Sequence, residues 1–407
     1  MLPEGWEHIR LREGVSKIGS GVTPRGGEES YKSTGYPLIR SQNVGWGCLL
    51  LDNVSYIDLD QHNAMSGTKL KSGDVLLNIT GASIGRVATY YGEDLGANVN
   101  QHVCIIRTDG SLEPRFVEAF LLSEFGQKQV DQFQAGGNRQ GLNFEQVGSF
   151  RLPRPPLPEQ QKIAEILSTW DAAIGSQERL IANAKRQKMA LMQTLLTAES
   201  RLPSFSGKWV SKPIGEVALI YDGTHMTPDY VESGVPFYSV EHLTSDDFKN
   251  TKFISELVFA NECRRVRLEK NDILMTRIGD IGTAKLIDWD VRASFYVSLA
   301  LIKPRPLVHG AFLAQFISAS SFRSELHKRT IHVAFPKKIN LGEIGKCLIA
   351  LPPVEEQRQI AEVLSASDGE ISTHVRKLEA LRQEKSALMQ QLLTGKRRVR
   401  VGDREFA

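Results

Sequence analysis

The chain repeats itself, and the repeat limits what it can fold into. The segment PPLPEQQKIAEILSTWDAAIGSQERLIANAKRQKMALMQTLLT from Pro155 aligns without a gap on PPVEEQRQIAEVLSASDGEISTHVRKLEALRQEKSALMQQLLT from Pro352. The offset is about 197 residues and roughly 20 of 43 positions are identical, a strong internal-repeat signal. The regions ahead of these segments repeat more faintly. Trp6 pairs with Trp209, Leu70-Lys-Ser-Gly-Asp-Val-Leu-Leu with Leu268-Glu-Lys-Asn-Asp-Ile-Leu-Met, and Leu142-Asn-Phe with Ile339-Asn-Leu. Phe116 and Phe120 match Phe312 and Phe316. A chain of 407 residues built this way reads as globular–helix–globular–helix, a unit of about 200 residues used twice.

Punctuation and period make the shared segments helices. Each follows a Pro-Pro break and carries acid in its first turn, Glu159 in one and Glu355-Glu356 in the other, where carboxylates suit the helix dipole. A 4-3-4 ladder runs Ile163, Leu167, Trp170, Ile174 and onward to Leu195, and again from Ile360 and Leu364 to Leu392. That is a coiled-coil seam, and 40 residues of it make a rod of about 60 Å. Lys188 and Lys385 fall on the seam and are expected to snorkel their charge outward. Ile166, Met192, Leu196, Val363, Met389 and Leu393 flank it as surplus apolar positions. A two-stranded seam leaves them exposed, so further helices are expected to pack there.

The globular segments carry short β-rich runs such as Val54-Ser-Tyr-Ile, Val75-Leu-Leu-Asn-Ile, Arg86-Val-Ala-Thr-Tyr-Tyr, Val103-Cys-Ile-Ile and Tyr296-Val-Ser-Leu-Ala-Leu-Ile, separated by turn residues. Helical patterns cover about 114–134 and 310–329. The expected fold is α+β with mostly antiparallel strands, divided as 1–152, 153–200, 201–350 and 351–399, with a tail at 400–407. The basic run Gly395-Lys-Arg-Arg-Val-Arg400 reads as an arm that touches phosphate or as a solvated charge run.

No GxxxxGK[ST] loop, HExxH pair, GxSxG elbow or GxGxxG opening a βαβ unit occurs, so the chain reads as a binder without catalytic residues. Nine histidines lack metal-ligand spacing and four cysteines lie far apart with no CxxC, which points to no metal site and a reducing cytoplasm. No run approaches the roughly 18 apolar residues a membrane span needs, and no basic-then-apolar leader opens the chain. Net charge is only +3, so bulk charge selects no partner.

The loops are more informative. The first domain offers Thr23, Arg25, Arg40, Asn43, Asn78, Thr80, Arg86, Gln101, His102, Asn138 and Arg139. The second offers Thr224, His225, His242, Thr276, Arg277, Lys285, Tyr296, Lys337 and Lys338. Such side chains read base edges and hold phosphates. Surface loops are polar in any protein, but equivalent loops here diverge while the helices match closely. That fits two modules that each recognise something different.

The duplicated pattern Pro-Pro-[LV]-x-Glu-Gln-x-x-Ile-Ala-Glu-x-Leu resembles the specificity subunit of type I restriction–modification systems. The turns Gly21-Val-Thr-Pro24 and Gly223-Thr-His-Met-Thr-Pro228 (the second with an insertion) match as well. The resemblance implies two target recognition domains, each reading half of a split, asymmetric site in double-stranded DNA. It implies antiparallel helices that set the spacer and dock two modification subunits through the surplus apolar positions. Those partners carry S-adenosylmethionine and methylate adenine N6; restriction subunits add ATP- and Mg2+-dependent translocation and cleavage. Cofactors are then expected on the partners and none on this chain. The geometry allows it: successive major grooves on one DNA face lie about 34 Å apart. The alternative is a coiled-coil scaffold whose globular ends bind proteins.

Overall fold

A computed structural model describes residues 2–24, 26–94, 96–134 and 141–401. The chain forms two compact units, one of residues 1–178 with 376–407 and one of residues 179–375. The division cuts both long helices, α1 (Leu157–Leu195) and α3 (Val354–Leu392). Each unit therefore holds the first part of one helix and the last part of the other.

In the first unit a four-stranded sheet is built from β1 (Val15–Ser20), β2 (Asp74–Asn78), β3 (Val87–Tyr90) and β4 (Val103–Thr108). Its order is β1-β4-β2-β3, antiparallel throughout, with Val75 opposite Ile106 and Leu77 opposite Val87. The run Val75-Leu76-Leu77 is apolar without alternation because the central strand is covered on both faces. Val75, Leu77 and Ile106 meet Phe116, Phe120 and helix residues Ile163 and Leu167. On the opposite face, Leu76, Ala88 and Ile105 meet Ile39, Val44 and Val99 beneath a small three-stranded sheet.

The second unit repeats the plan with β5 (Ala218–Asp222), β6 (Ile273–Thr276), β7 (Ala284–Leu286) and β8 (Leu299–Pro304) in the order β5-β8-β6-β7. Ile273, Met275 and Ile302 pack on Phe312 and Phe316, and Leu274 and Leu301 on Tyr238 and Phe295. Burial of each such side chain contributes about 1.5–3 kcal/mol. Even the turn before the central strand is conserved in shape: Gly73 has φ +88° and its counterpart Asn271 has φ +73°. Asn is among the few side chains that tolerate this left-handed conformation.

Two expectations change in detail. The run from Tyr296 begins as a turn, with Leu299 N donating to Tyr296 O at 2.9 Å, and the strand starts only at Leu299. Each helical pattern is two helices, broken at Ser123 (φ −70°, ψ 162°) and at Ala319 (φ −69°, ψ 149°), positions equivalent in the repeat.

The helix segments in each unit pair antiparallel. In the first unit Lys385 meets Asp171 and Arg382 donates to Glu178 at 2.7 Å; in the second Lys188 donates to Asp368 at 2.7 Å. The seam lysines thus turn to a carboxylate on the facing helix instead of running out to solvent. Two of the six surplus apolar positions are buried within the chain, and the other four are partly buried. Leu393 is buried in the first unit's core with Ile166 and Met389 against it, and Leu196 in the second unit's core with Met192 and Val363 against it. Each is covered by the core of its own unit, so Leu196 and Leu393 offer no open surface to another subunit.

Candidate nucleic-acid interface

In each antiparallel sheet the ends of the first and third strands in space lie beside the starts of the other two. In the first unit these are the end of β1, the start of β4, the end of β2 and the start of β3, with Ser20 opposite Cys104 and Asn78 opposite Val103. The second unit matches, with Asp222 opposite Ala300 and Thr276 opposite Leu299. Most of the candidate loop residues come from these connections, so residues far apart in sequence gather at one sheet end.

In the first unit the gathering is a chain of hydrogen bonds. Thr80 Oγ1 lies 2.6 Å from His102 Nδ1, His102 Nε2 lies 2.9 Å from Gln101 Nε2, and Thr23 Oγ1 donates to Gln101 Oε1. An amide NH2 only donates, so His102 Nε2 accepts from Gln101 and Nδ1–H donates to Thr80. Thr23 and Gln101 are exposed, and Thr80 and His102 are half-buried. The cluster presents hydroxyl, amide and imidazole edges held in fixed orientation, the groups that exchange hydrogen bonds with base edges.

The backbone beneath it is tight. A Cβ on Gly21 would collide with the Val99 carbonyl, and one on Gly223 would collide with the Phe295 carbonyl. Both turns therefore need glycine for the same close approach, the inserted residues of the second notwithstanding.

The second unit uses different chemistry at the same end. Asp222, at the end of β5, accepts from Arg265 Nη1 at 2.5 Å and lies 2.7 Å from His225 Nε2 and 3.5 Å from Arg277 Nη2. Burial pushes the Asp222 carboxyl up, and hydrogen bonds from Arg265 and His225 outweigh it and hold it below the ordinary range. His225 and Arg265 reach solvent from this anchor. Tyr296 Oη meets Thr227 Oγ1 at 3.2 Å, and Thr224 bridges Tyr296 through its backbone. Lys337 and Lys338 are exposed on a loop fastened to the same end, where Gly279 N donates to Lys337 O at 2.8 Å.

Several candidates are held inside the fold instead. Asn43 is buried and donates to Leu50 O at 2.9 Å; Asn78 is buried and donates to Ser41 O at 2.8 Å. His242 is buried and accepts from Ser239 N at 2.9 Å, at the start of a short helix. Thr276 is buried and bonds Asp280 and Thr283. Arg277 is buried, donating to the carbonyls of Val297 and Ile339 at 2.9 and 3.2 Å, and burial pushes its guanidinium pKa down. These five shape loops from within, because a buried polar group must find its partners in the protein. Arg40 is mostly covered, 5.0 Å over the Tyr31 ring and 3.4 Å from Glu28. Arg86 is half-buried at the start of β3. Lys285 stands on the sheet face that carries Leu274 and Tyr238, 5.9 Å over the Phe248 ring, and pairs with Asp246. Arg25, Asn138 and Arg139 lie outside the described residues.

Sequence reasoning missed Asp222 and Arg265, which organise the second cluster; the signal was an acid ending the strand before the matched turn. It also read the Glu-Gln of the repeated motif only as helix-start chemistry. Buried Glu159 accepts from Trp6 Nε1 at 3.2 Å and from Arg398, and buried Glu356 accepts from Arg201 Nε at 3.0 Å. The basic tail thus has Arg398 paired to a carboxylate of its own unit. Gln160 accepts from Glu113 N at 2.9 Å and Gln357 from His309 N at 2.8 Å; each also donates to two carbonyls.

An α+β scaffold used twice, with different side chains at the same sheet end, defines a two-headed recognition protein. The family described as type I restriction modification DNA specificity domain matches residues 3–186 and 206–383, and the chain belongs to it. It is a specificity subunit of the type I restriction–modification class, built for DNA target recognition. The putative type I restriction enzyme MjaX specificity subunit of Methanocaldococcus jannaschii is 25% identical over 98% of this chain and 95% of its own. The type I restriction enzyme EcoKI specificity subunit of Escherichia coli is 22% identical over 88% of this chain and 81% of its own. Among solved structures, the S subunit from M. genitalium has a TM-score of 0.62 at 14% identity, covering 95% of this chain and 96% of that one. A chain from a structure of a type I R-M system undergoing complex assembly and conformational transition gives 0.59 at 20% identity, covering 98% and 100%. Among the described residues no helix is long and apolar enough to cross a membrane.

Proposed function

We propose that each unit reads one half of a bipartite, asymmetric double-stranded DNA site through the polar cluster at its sheet end. The observation that carries this is the contrast between Thr23–Gln101–His102–Thr80 in one unit and Asp222–His225–Arg265 in the other, at equivalent places on one scaffold. Unequal readers give an asymmetric site. The paired helices fix the gap between half-sites. They and the outer surfaces dock two modification subunits, which carry S-adenosylmethionine and methylate adenine N6. Restriction subunits join with ATP and Mg2+. This chain contributes no catalytic residue and works in the cytoplasm.

Exchange of residues 1–150 with those of a family member tests the reading. Methylome sequencing should show one half of the methylated sequence changed and the other half and the spacer retained. An unchanged methylated sequence would sink the proposal and favour a protein-binding scaffold. DNA affinity should also fall steeply as ionic strength rises.

A further inference from the structure

In the second unit, residues 331–338 leave α2 (Ser320–Arg329) and return to the sheet end. The stem is fixed: Ile331 N donates to Lys338 O at 2.8 Å, and Lys338 bridges Ile278 beside the end of β6. The tip is not covered at all. Val333 is 97% and Phe335 103% exposed, so a complete phenyl ring stands in water. Burying such a side chain is favourable, and the fold forgoes that gain here. A ring held out on a pinned stem is placed to enter something else.

The surroundings say what. His332, Lys337 and Lys338 flank the tip, and Arg323, His327 and Lys328 line an adjacent cavity of about 590 Å³. The nearby carboxylate Glu325 is already engaged by Lys328 and Arg329, each at 3.1 Å. Bare apolar side chains beside Lys337, Lys338 and Arg323 match a polyanion with an apolar interior, which is stacked DNA. A protein pocket can also take a projecting aromatic anchor; the position of the tip at the sheet end read above as the DNA interface is what selects stacked base pairs.

Resting on the DNA-reading proposal above, we propose that Phe335, with Val333 beside it, inserts between two base pairs of the half-site read by the second unit and unstacks that step. Apolar wedges of this kind kink duplexes in other architectures. The repeat places 135–140 opposite 332–337, and their sequence Ala-Gly-Gly-Asn-Arg-Gln has no large apolar side chain. Insertion therefore belongs to one half-site only, and Phe335 adds a term to specificity through the ease of unstacking its step.

The test uses the full chain, a duplex carrying its methylated site, and 2-aminopurine placed in turn at each step of both half-sites. One position in the second unit's half-site should brighten several-fold on binding, and none in the first. Phe335→Ala should abolish that signal and weaken binding about tenfold or more, with an unchanged unfolding midpoint because the ring packs on nothing. Phe335→Trp should restore the signal. Specific binding with no bright position, or a signal that persists in Phe335→Ala, overturns the wedge while leaving DNA reading intact. Absence of any sequence-specific binding by the unaltered chain overturns both. Loss of modification-subunit binding in Phe335→Ala with unstacking unchanged would make the tip a protein contact and also overturn it.

Discussion

Lys188 on α1 donates to both carboxylate oxygens of Asp368 on α3, at 2.7 and 2.8 Å, and the repeat copies the pair with its helices exchanged as Lys385 and Asp171. The copies differ in their neighbours: Glu118 lies near Asp171 and Lys385 in the first unit, where the second has Ala314. Gln315 donates to Asp368 at 2.8 Å, whereas the equivalent of Gln315 in the first unit is Ala119. Asp171→Ala should cost about 0.2–1 kcal/mol, the usual worth of a partly exposed pair. Asp368→Ala should cost about 0.5–1.5 kcal/mol more, because the hydrogen bond from the Gln315 amide to the charged carboxylate, weakened by its exposure, goes with it. Urea unfolding of the two variants checks the order, and equal losses would show that Gln315 contributes nothing.

The buried carboxylate of Glu356 faces the half-exposed guanidinium of Arg201. Removal of a partner from a buried charge is worse than removal of the charge. Arg201→Ala should therefore lower the unfolding midpoint of the second unit. Glu356→Gln added to it should recover part of the loss, since the uncompensated carboxylate disappears. If the double variant is less stable than Arg201→Ala, Glu356 is held by something other than this pair.

Gln357 joins three backbone groups that have no repeating secondary structure to satisfy them: His309 N, Leu307 O and Pro352 O. Gln357→Leu keeps the volume and removes the bonds. It should cost about 1–3 kcal/mol for the buried Pro352 carbonyl alone, seen as a lower denaturation midpoint. The methylated sequence should stay the same, because the residue lies in the scaffold and not at the sheet end.

How far these features were legible in the sequence depends on what the pattern encodes. Period and repeat encode the elements: the seam from Ile163 to Leu195 is one helix, and Val75-Leu76-Leu77 is a strand covered on both faces. Side of burial is encoded for apolar residues only. Asn43, Asn78 and Arg277 have the composition of base-readers, yet each closes a loop from inside, since the same donors that suit a base edge suit a buried carbonyl. Leu196 and Leu393 read from sequence as surfaces for partner subunits because local pattern cannot show that a distant part of the same unit covers them. Lys188 reads as outward-facing for a similar reason; its carboxylate sits 180 residues away.

The two glycines that begin the matched turns give the sharpest separation of scaffold from reader. A Cβ at Gly21 meets the Val99 carbonyl and one at Gly223 meets the Phe295 carbonyl, both backbone atoms that move only with their strands. Gly21→Ala must therefore push the Thr23 turn off the sheet end and break its bond to Gln101. By contrast a Cβ at Gly19 meets only the flexible end of Lys17, at 3.7 Å, an ordinary contact. Gly19→Ala should leave DNA binding within a factor of about two, since surface substitutions stay within about 0.5 kcal/mol. Gly21→Ala should abolish protection of one half-site in footprinting while the other persists, and Gly223→Ala should do the reverse. Loss of both half-sites together in either variant would mean that the units do not read independently.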